Sequence, residues 1–298
     1  QLTADPTLEP RQIVVMAPDI SAYAPYLPAV FGAAAHHSAD PSRIPWHLAD
    51  VRLAQTHPLL RAFATLLDLG DSRLALGEVL DLLDVPAVAR RFRLDGVDRE
   101  VLESTLRRAG VAWGLDAAMK QQFAGVAAAE NSWTFGFDRI FAGAIAGADT
   151  DDALLDGVLP LAGVDGSAVV ALGRVHRLLD VVREMRDGFA RPRPLADWCE
   201  WLGERIAALF HADADDRAET RALDALRRAL AELGEQAAAS GKQELPWSVM
   251  REAMRGQLDA VSERQPFLLG GVTFCGLVPQ RSIPFRVVCL LGMNDGEF

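Results

Sequence analysis

Three stretches of this chain carry residue types whose spacing could do chemistry. Gly241-Lys242 in "GEQAAASGKQ" (234–243) imitates a phosphate cradle, and "HADADD" (211–216) sets a histidine beside aspartates as a cation site would. "ARRFR" (89–93) and "LRR" (106–108) gather Arg90, Arg91, Arg93, Arg107 and Arg108, which suit a nucleic-acid backbone. The cradle fails on its own terms. The G-x-x-x-x-G-K-[ST] pattern follows a strand and uses its last hydroxyl to hold Mg²⁺. Gln236 stands at the first glycine, Gln243 at the hydroxyl, and the segment follows a helical pattern. It reads as a helix C-terminus and a link before Pro246. The acidic stretch fails too. A calcium loop begun at Asp213 needs Gly at 218 and Glu at 224, where the chain has Ala218 and Asp224. Acids ahead of a helix are ordinary caps that favour its positive end, and "ADTDDALLDG" (148–157) reads the same way.

The remaining candidates are fewer. His36-His37 sits in loop sequence without further ligands, and His176 lies on a helix among apolar neighbours, where it packs or caps. No Ser or Cys has the strand-turn-helix elbow of a nucleophile. A two-metal nuclease needs several carboxylates and usually a lysine. The two lysines, Lys120 and Lys242, stand in no matching strand context. For the arginines, the functional reading is a DNA-backbone contact helped by Phe92. The plain reading is a solvated or salt-bridged face. Trp198 and Trp201 in "RPRPLADWCEW" (191–201) are either core or, if exposed, a subunit interface, because aromatics dominate binding hot spots.

Composition narrows the class. The 298 residues are 50% hydrophobic, enough for one large core or two smaller ones. A net charge of −11 disfavours a strong sequence-independent grip on nucleic acid, though not a local basic strip. Nearly all positive charge is Arg, which reads mostly as compositional bias. Cys199, Cys275 and Cys289 form no C-x-x-C pair, so a reducing, cytoplasmic setting is expected. Residues 1–12 are polar and Pro-rich, unlike a signal peptide. Charge interrupts every apolar stretch short of the ~18 residues a membrane span needs.

Any site must be positioned by the elements around it. "RQIVVMAPD" (11–19) is a consecutive apolar run, the pattern of a strand buried on both faces of a parallel sheet. "ISAYAPYLPAVFG" (20–32) predicts a bent or short helix and "IPWHLAD" (44–50) a returning strand. Helical periodicity then runs from about residue 56 to 263. Helices are expected in 57–70, 71–84 (capped by Asp71 or Ser72), 97–110 (capped by Asp98), 133–147, 173–190, 194–210, 216–234 and 246–263. Strand texture returns at "FLLGGVTFCGLV" (267–278) and "FRVVCLLGM" (285–293). The order implies one small sheet, 11–55 and 266–298, interrupted by a helical insertion, 56–265.

That layout resembles the gamma-chain family of exodeoxyribonuclease V, RecC. The stretches that carry the resemblance are "IVVMAPDISAYAPYLPAVFG" (13–32), "IPWHLAD" with "HPLLRAFATLLDL" (57–69), "VLDLLDVPAVARRF" (79–92), "GVAWGLD" (110–116) and, most specifically, "VTFCGLVPQRSIPFRVVCLLGMNDGEF" (272–298). It is strong at both ends and in 57–116, and weak through about 118–265. Members of the family are roughly four times longer, so the resemblance implies an internal segment. It would be an incomplete second motor-like domain of superfamily 1 helicase type plus its helical insertion, inside a complex that unwinds and degrades double-stranded DNA ends. The implied partners are the beta and alpha chains, with DNA in the full complex and no membrane. ATP and Mg²⁺ would be bound by the partner subunits and no cofactor by this segment.

The resemblance also implies a motor without its chemistry. Active motors carry T-x-H-x-x-K-G-L-E-F ahead of the last strand. Aligned here are Gly276 for Thr, Val278 for His, Arg281 for Lys, Ser282 for Gly and Pro284 for Glu, with Phe285 kept. Proline offers neither a carboxylate acceptor nor a backbone donor. Ala17-Pro18-Asp19 stands where an active motor places an arginine for the γ-phosphate. The expected role is to scaffold partners and shape a DNA channel, without catalysis. A free-standing helical interaction module is the alternative, and it predicts a self-contained fold. An active helicase or nuclease fragment would instead bind nucleotide or Mg²⁺.

Overall fold

The computed structural model describes residues 5, 7–24, 26–32, 44–48, 57–94, 96–97, 99–147, 154–164, 166–260, 271–277 and 284–294. The chain divides into two compact units. One joins Gln1–Arg61 with Arg255–Phe298, and the other is Ala62–Met254.

The first unit is built on a sheet of four strands: β1 (Ile13–Ala17), β2 (Trp46–Leu48), β3 (Val272–Gly276) and β4 (Val287–Leu290). Their order is β2-β3-β1-β4 and every pairing is parallel. Val14 lies opposite Thr273 on one side and Val288 on the other. The expectation that strands from both ends of the sequence share one sheet therefore holds. Parallel strands need crossovers rather than hairpins, so a long excursion between Leu48 and Val272 is compatible with the pairing. One sheet face packs Ile13, Ala17, Val272 and Phe274 against Leu8, Ile20 and Leu27. Phe274 meets Trp46 edge-on at 5.9 Å. The other face holds Val14 and Cys275, with Met16 and Phe285 partly buried against them. His47 and Thr273, both buried, share a 3.0 Å hydrogen bond. The segment 20–32 is a 3-10 turn, Ile20–Ala22, followed by the short helix α1 (Leu27–Phe31).

Ten further helices are described: α2 (Pro58–Leu67), α3 (Leu76–Leu83), α4 (Pro86–Arg91), α5 (Arg99–Arg108), α6 (Ala117–Ala124), α7 (Trp133–Ala146), α8 (Gly166–Phe189), α9 (Leu195–Leu209), α10 (Arg217–Ser240) and α11 (Trp247–Ala260). The observed class is thus mixed α/β: a small parallel sheet and a large helical part. Several ends differ from the expected ones. α3 begins at Leu76, and its N-cap is Ala75 rather than Asp71 or Ser72. Glu78 reaches back to accept from the Ala75 N–H at 2.8 Å and the Ser72 hydroxyl at 2.9 Å. Residues 72–75 are committed elsewhere. The Leu74 carbonyl takes the Trp133 indole N–H at 2.8 Å, and the Leu76 N–H donates to the Ala112 carbonyl. α8 starts seven residues before the expected 173, and α10 runs six past 234 through Ala237, Ala238 and Ala239, the residue type of highest helix propensity. α4 and α6 are too short to show an apolar stripe in sequence. α6 is instead marked by its ends: Asp116 accepts from the Met119 N–H, and Gly125 closes it in the left-handed conformation. The expected cap Asp98 lies outside the described residues.

Two glycines let other parts of the chain approach their helices closely. A Cβ at Gly143 of α7 would land on the Leu161 carbonyl oxygen, and one at Gly188 of α8 on the Trp201 ring. Trp201 belongs to an aromatic cluster with Phe189, Trp198 and Trp247, in which Phe189 and Trp247 stack at 3.8 Å. Gly143→Ala and Gly188→Ala are each expected to cost about 1–3 kcal/mol through overpacking. Gly203→Ala on α9, where a Cβ meets nothing within 4 Å, is expected to gain about 0.5–1 kcal/mol. Thermal midpoints of the three variants check the contrast.

Candidate functional site

The arginines of the two basic stretches have separate fates. Arg90, at the end of α4, donates to both carboxylate oxygens of Glu219 at 2.6 and 3.2 Å and to the His211 carbonyl at 2.9 Å. Glu219 is buried and also accepts from the Asp213 N–H at 2.7 Å. Arg91 donates to the Ala208 carbonyl, Arg107 pairs with Glu103 one helical turn away, and Arg108 donates to the Ala162 carbonyl. Arg90, Arg91 and Arg108 thus tie α4 and α5 to other parts of the chain, while Arg107 pairs within α5.

Arg93 differs. Its backbone is left-handed, φ 56°, a conformation that costs a non-glycine residue about 1–2 kcal/mol. The conformation closes α4: the Leu94 N–H returns to the Ala89 carbonyl at 2.7 Å and the Arg93 N–H to Arg90 at 3.0 Å. Glycine usually fills this place. The Arg93 side chain is exposed, and Arg174 of α8 donates to its carbonyl at 2.6 Å. Arg177, three residues on and so on the same helix face, is exposed. Sequence reading missed Arg174 and Arg177. Their only signal was i, i+3 spacing on a helix rich in arginine.

The acidic and glycine-lysine stretches resolve plainly. Asp216 caps α10, accepting from the Ala218 and Glu219 N–H groups at 2.9 and 3.1 Å. Gly241-Lys242 follows the last turn of α10, with Lys242 exposed. His176 pairs with Asp180 at 3.4 Å and meets Phe137 edge-on at 5.0 Å. His36 and His37 lie outside the described residues. Among the described residues, no three His, Cys, Asp or Glu side chains could hold a metal ion. No described helix is long and apolar enough to cross a membrane.

Trp198 is fully buried and its indole N–H donates to the Leu245 carbonyl at 2.8 Å, while Trp201 is half-buried. Arg193 lies over both rings, 4.5 and 4.7 Å from their centroids, and donates to the Gly188 carbonyl. Burial lowers its pKa from the ordinary guanidinium value. Burial likewise lowers that of Lys120, whose ammonium sits 4.9 Å from the Trp113 ring and donates to the Glu130 carbonyl.

Of the motor-type positions, Gly276 ends β3, and Pro284 and Phe285 lead into β4. Phe285 packs on Val14 and Cys275. Val278, Arg281 and Ser282 lie outside the described residues. β1 ends at buried Ala17, and Pro18 and Asp19 follow it. The apolar framework of a strand-loop-strand site is present at the described positions, and Gly276, Pro284, Phe285, Ala17, Pro18 and Asp19 among them offer no cationic side chain to phosphate.

The family model for the fourth domain of RecBCD enzyme subunit RecC matches residues 56–262. The chain belongs to the RecC family. RecBCD enzyme subunit RecC of Escherichia coli is 37% identical over 297 residues, covering 100% of this chain and 26% of the relative. The same-named proteins of Mycolicibacterium smegmatis and Haemophilus influenzae are 36% and 30% identical, covering 100% and 99% of this chain and 28% and 25% of their own lengths. The chain spans about a quarter of the length of the curated RecC relatives it matches. The match includes 118–262, where the sequence resemblance to RecC was weakest.

Within this RecC segment, the Arg90–Glu219 pair ties α4 to α10. Glu219→Ala strands a half-buried guanidinium and is expected to cost about 2–3 kcal/mol. Glu103→Ala, which removes the Arg107 partner on the helix surface, is expected to cost no more than about 0.5 kcal/mol. Denaturant midpoints of the two variants check the difference.

Proposed function

We propose that the chain is a non-catalytic, helicase-like segment of RecC, the gamma chain of exodeoxyribonuclease V. In this reading the sheet unit is part of a second motor-type domain of superfamily 1 ancestry, and the helical unit is an insertion in it. The whole subunit works with the beta and alpha chains in ATP-dependent unwinding and degradation of double-stranded DNA ends during recombinational repair, in the cytoplasm. ATP and Mg²⁺ are bound by those partners. This segment scaffolds them and shapes the path of the DNA.

The observation that carries the reading is Pro284. It enters β4 where a working motor places a carboxylate that accepts hydrogen bonds, and proline supplies no such acceptor. Ala17-Pro18-Asp19 after β1 supports it, because Asp19 opposes phosphate where a cation is required. The strands between these positions are still paired, and β1 and β3 are still packed by apolar residues on both faces. Loss of polar chemistry on a retained apolar framework is what a scaffold descended from a motor requires. Full-length subunit purified without its partners is expected to show no DNA-stimulated ATP hydrolysis, and activity is expected to appear on adding the beta and alpha chains. Steady hydrolysis by the lone subunit, abolished by substitution at Arg281 or Pro284, would overturn the reading.

A further inference from the structure

We propose that Arg93, Arg174 and Arg177 form a contact for the phosphodiester backbone of a DNA strand, a site that rests on the DNA-path reading above and gives it a location. Three observations converge. First, Arg90, Arg91, Arg107 and Arg108 are occupied by carboxylates or carbonyls of the same chain. Among the described residues, the Arg93 and Arg177 side chains have no such partner. Secondly, Arg93 occupies a left-handed position, φ 56°, that glycine fills more easily. Helix closure alone does not require an arginine there. Strain kept at an exposed charged side chain points to a use for that side chain.

Thirdly, Arg174 donates to the Arg93 carbonyl at 2.6 Å, which brings its guanidinium to the backbone of the strained residue. One bond leaves most of its fork of donors for another acceptor. Arg177 continues the line one turn along α8. The acid nearest Arg177 on that helix, Asp180, faces His176 at 3.4 Å. Asp95, close to Arg93 in sequence, lies outside the described residues. Planar guanidinium forks match phosphate oxygens two at a time, and a row of them follows a backbone without reading bases. In a chain of net charge −11, such a strip guides a strand locally rather than gripping nucleic acid everywhere.

The test uses full-length subunit assembled with its partners, binding a blunt duplex end across a salt series. Arg93→Gly removes the guanidinium and relieves the left-handed strain, so loss of fold cannot account for its effect. The expected result is a thermal midpoint unchanged or raised, with a salt slope shallower by about 0.7–0.9, the value of one phosphate contact. The Arg93→Gly/Arg177→Ala pair is expected to lower it by about twice that. Unchanged slopes in both variants would overturn the site, as would a response to free phosphate ion alone, while leaving the subunit reading intact. Failure of the wild-type assembly to bind the duplex end would instead defeat the reading beneath it.

Discussion

The helical unit depends on how its helices end. The last four carbonyls of an α-helix have no partner within the helix, and burying one unsatisfied costs about 1–3 kcal/mol. Here guanidinium groups meet carbonyls of the last turn, as at Gly188 and Ala208, or of residues in the chain that leaves it. Arg186 donates to Leu69 and Ser72 beyond α2, Arg174 to Arg93 beyond α4, Arg139 to Ala109 beyond α5, Arg193 to Gly188 in α8, and Arg91 to Ala208 in α9. Positive charge at a helix C-terminus also complements the helix dipole. Each contact therefore ties a helix end, or the chain leaving it, to a second element. A forked side chain does this better than lysine, because it can serve two carbonyls at once, as Arg139 does with Ala109 and Leu159. The excess of Arg over Lys, read from composition as bias, has a structural use.

The sheet unit follows a different constraint. All its pairings are parallel, so no two neighbouring strands can be joined by a tight turn. β1 is central, flanked by β3 and β4 from the far end of the sequence. In its register with both, Val14 lies opposite Thr273 and Val288, and Val14 and Ala17 enter apolar clusters on opposite faces of the sheet. The cost of closing a long excursion grows only slowly with its length, which makes a large helical unit between β2 and β3 tolerable. The sheet thus keeps its apolar framework whether or not polar residues in its loops perform chemistry, and Pro284 and Asp19 can occupy their places without disturbing it.

Much of this was legible in sequence. The strands declared themselves as short apolar runs rich in Val, and the long helices as stripes. Asp216 and Gly147 marked helix ends where they stand. What escaped were features set by distant partners. The start of α3 is displaced by the Trp133 indole and the Ala112 carbonyl, neither of which local capping rules can see. Trp198 could be core or interface until Leu245 and Trp247 were seen around it. The arginines looked alike as a run of charge. Only tertiary contacts separate Arg90, held by Glu219 across 129 positions of sequence, from Arg93, which is strained and exposed. Arg174 and Arg177 were hidden because α8 carries four arginines, with Arg183 and Arg186, and sequence alone does not tell which are held by distant partners.

Arginine-selective dicarbonyl labelling of the assembled full-length subunit, with and without a duplex DNA end and read residue by residue by mass spectrometry, tests this division most directly. The account predicts slow labelling of Arg90, Arg139 and Arg186 in both states. It predicts fast labelling of Arg93 and Arg177 without DNA, and protection of both with it. Labelling of Arg90 as fast as Arg93, or an Arg93 rate indifferent to DNA, would contradict it.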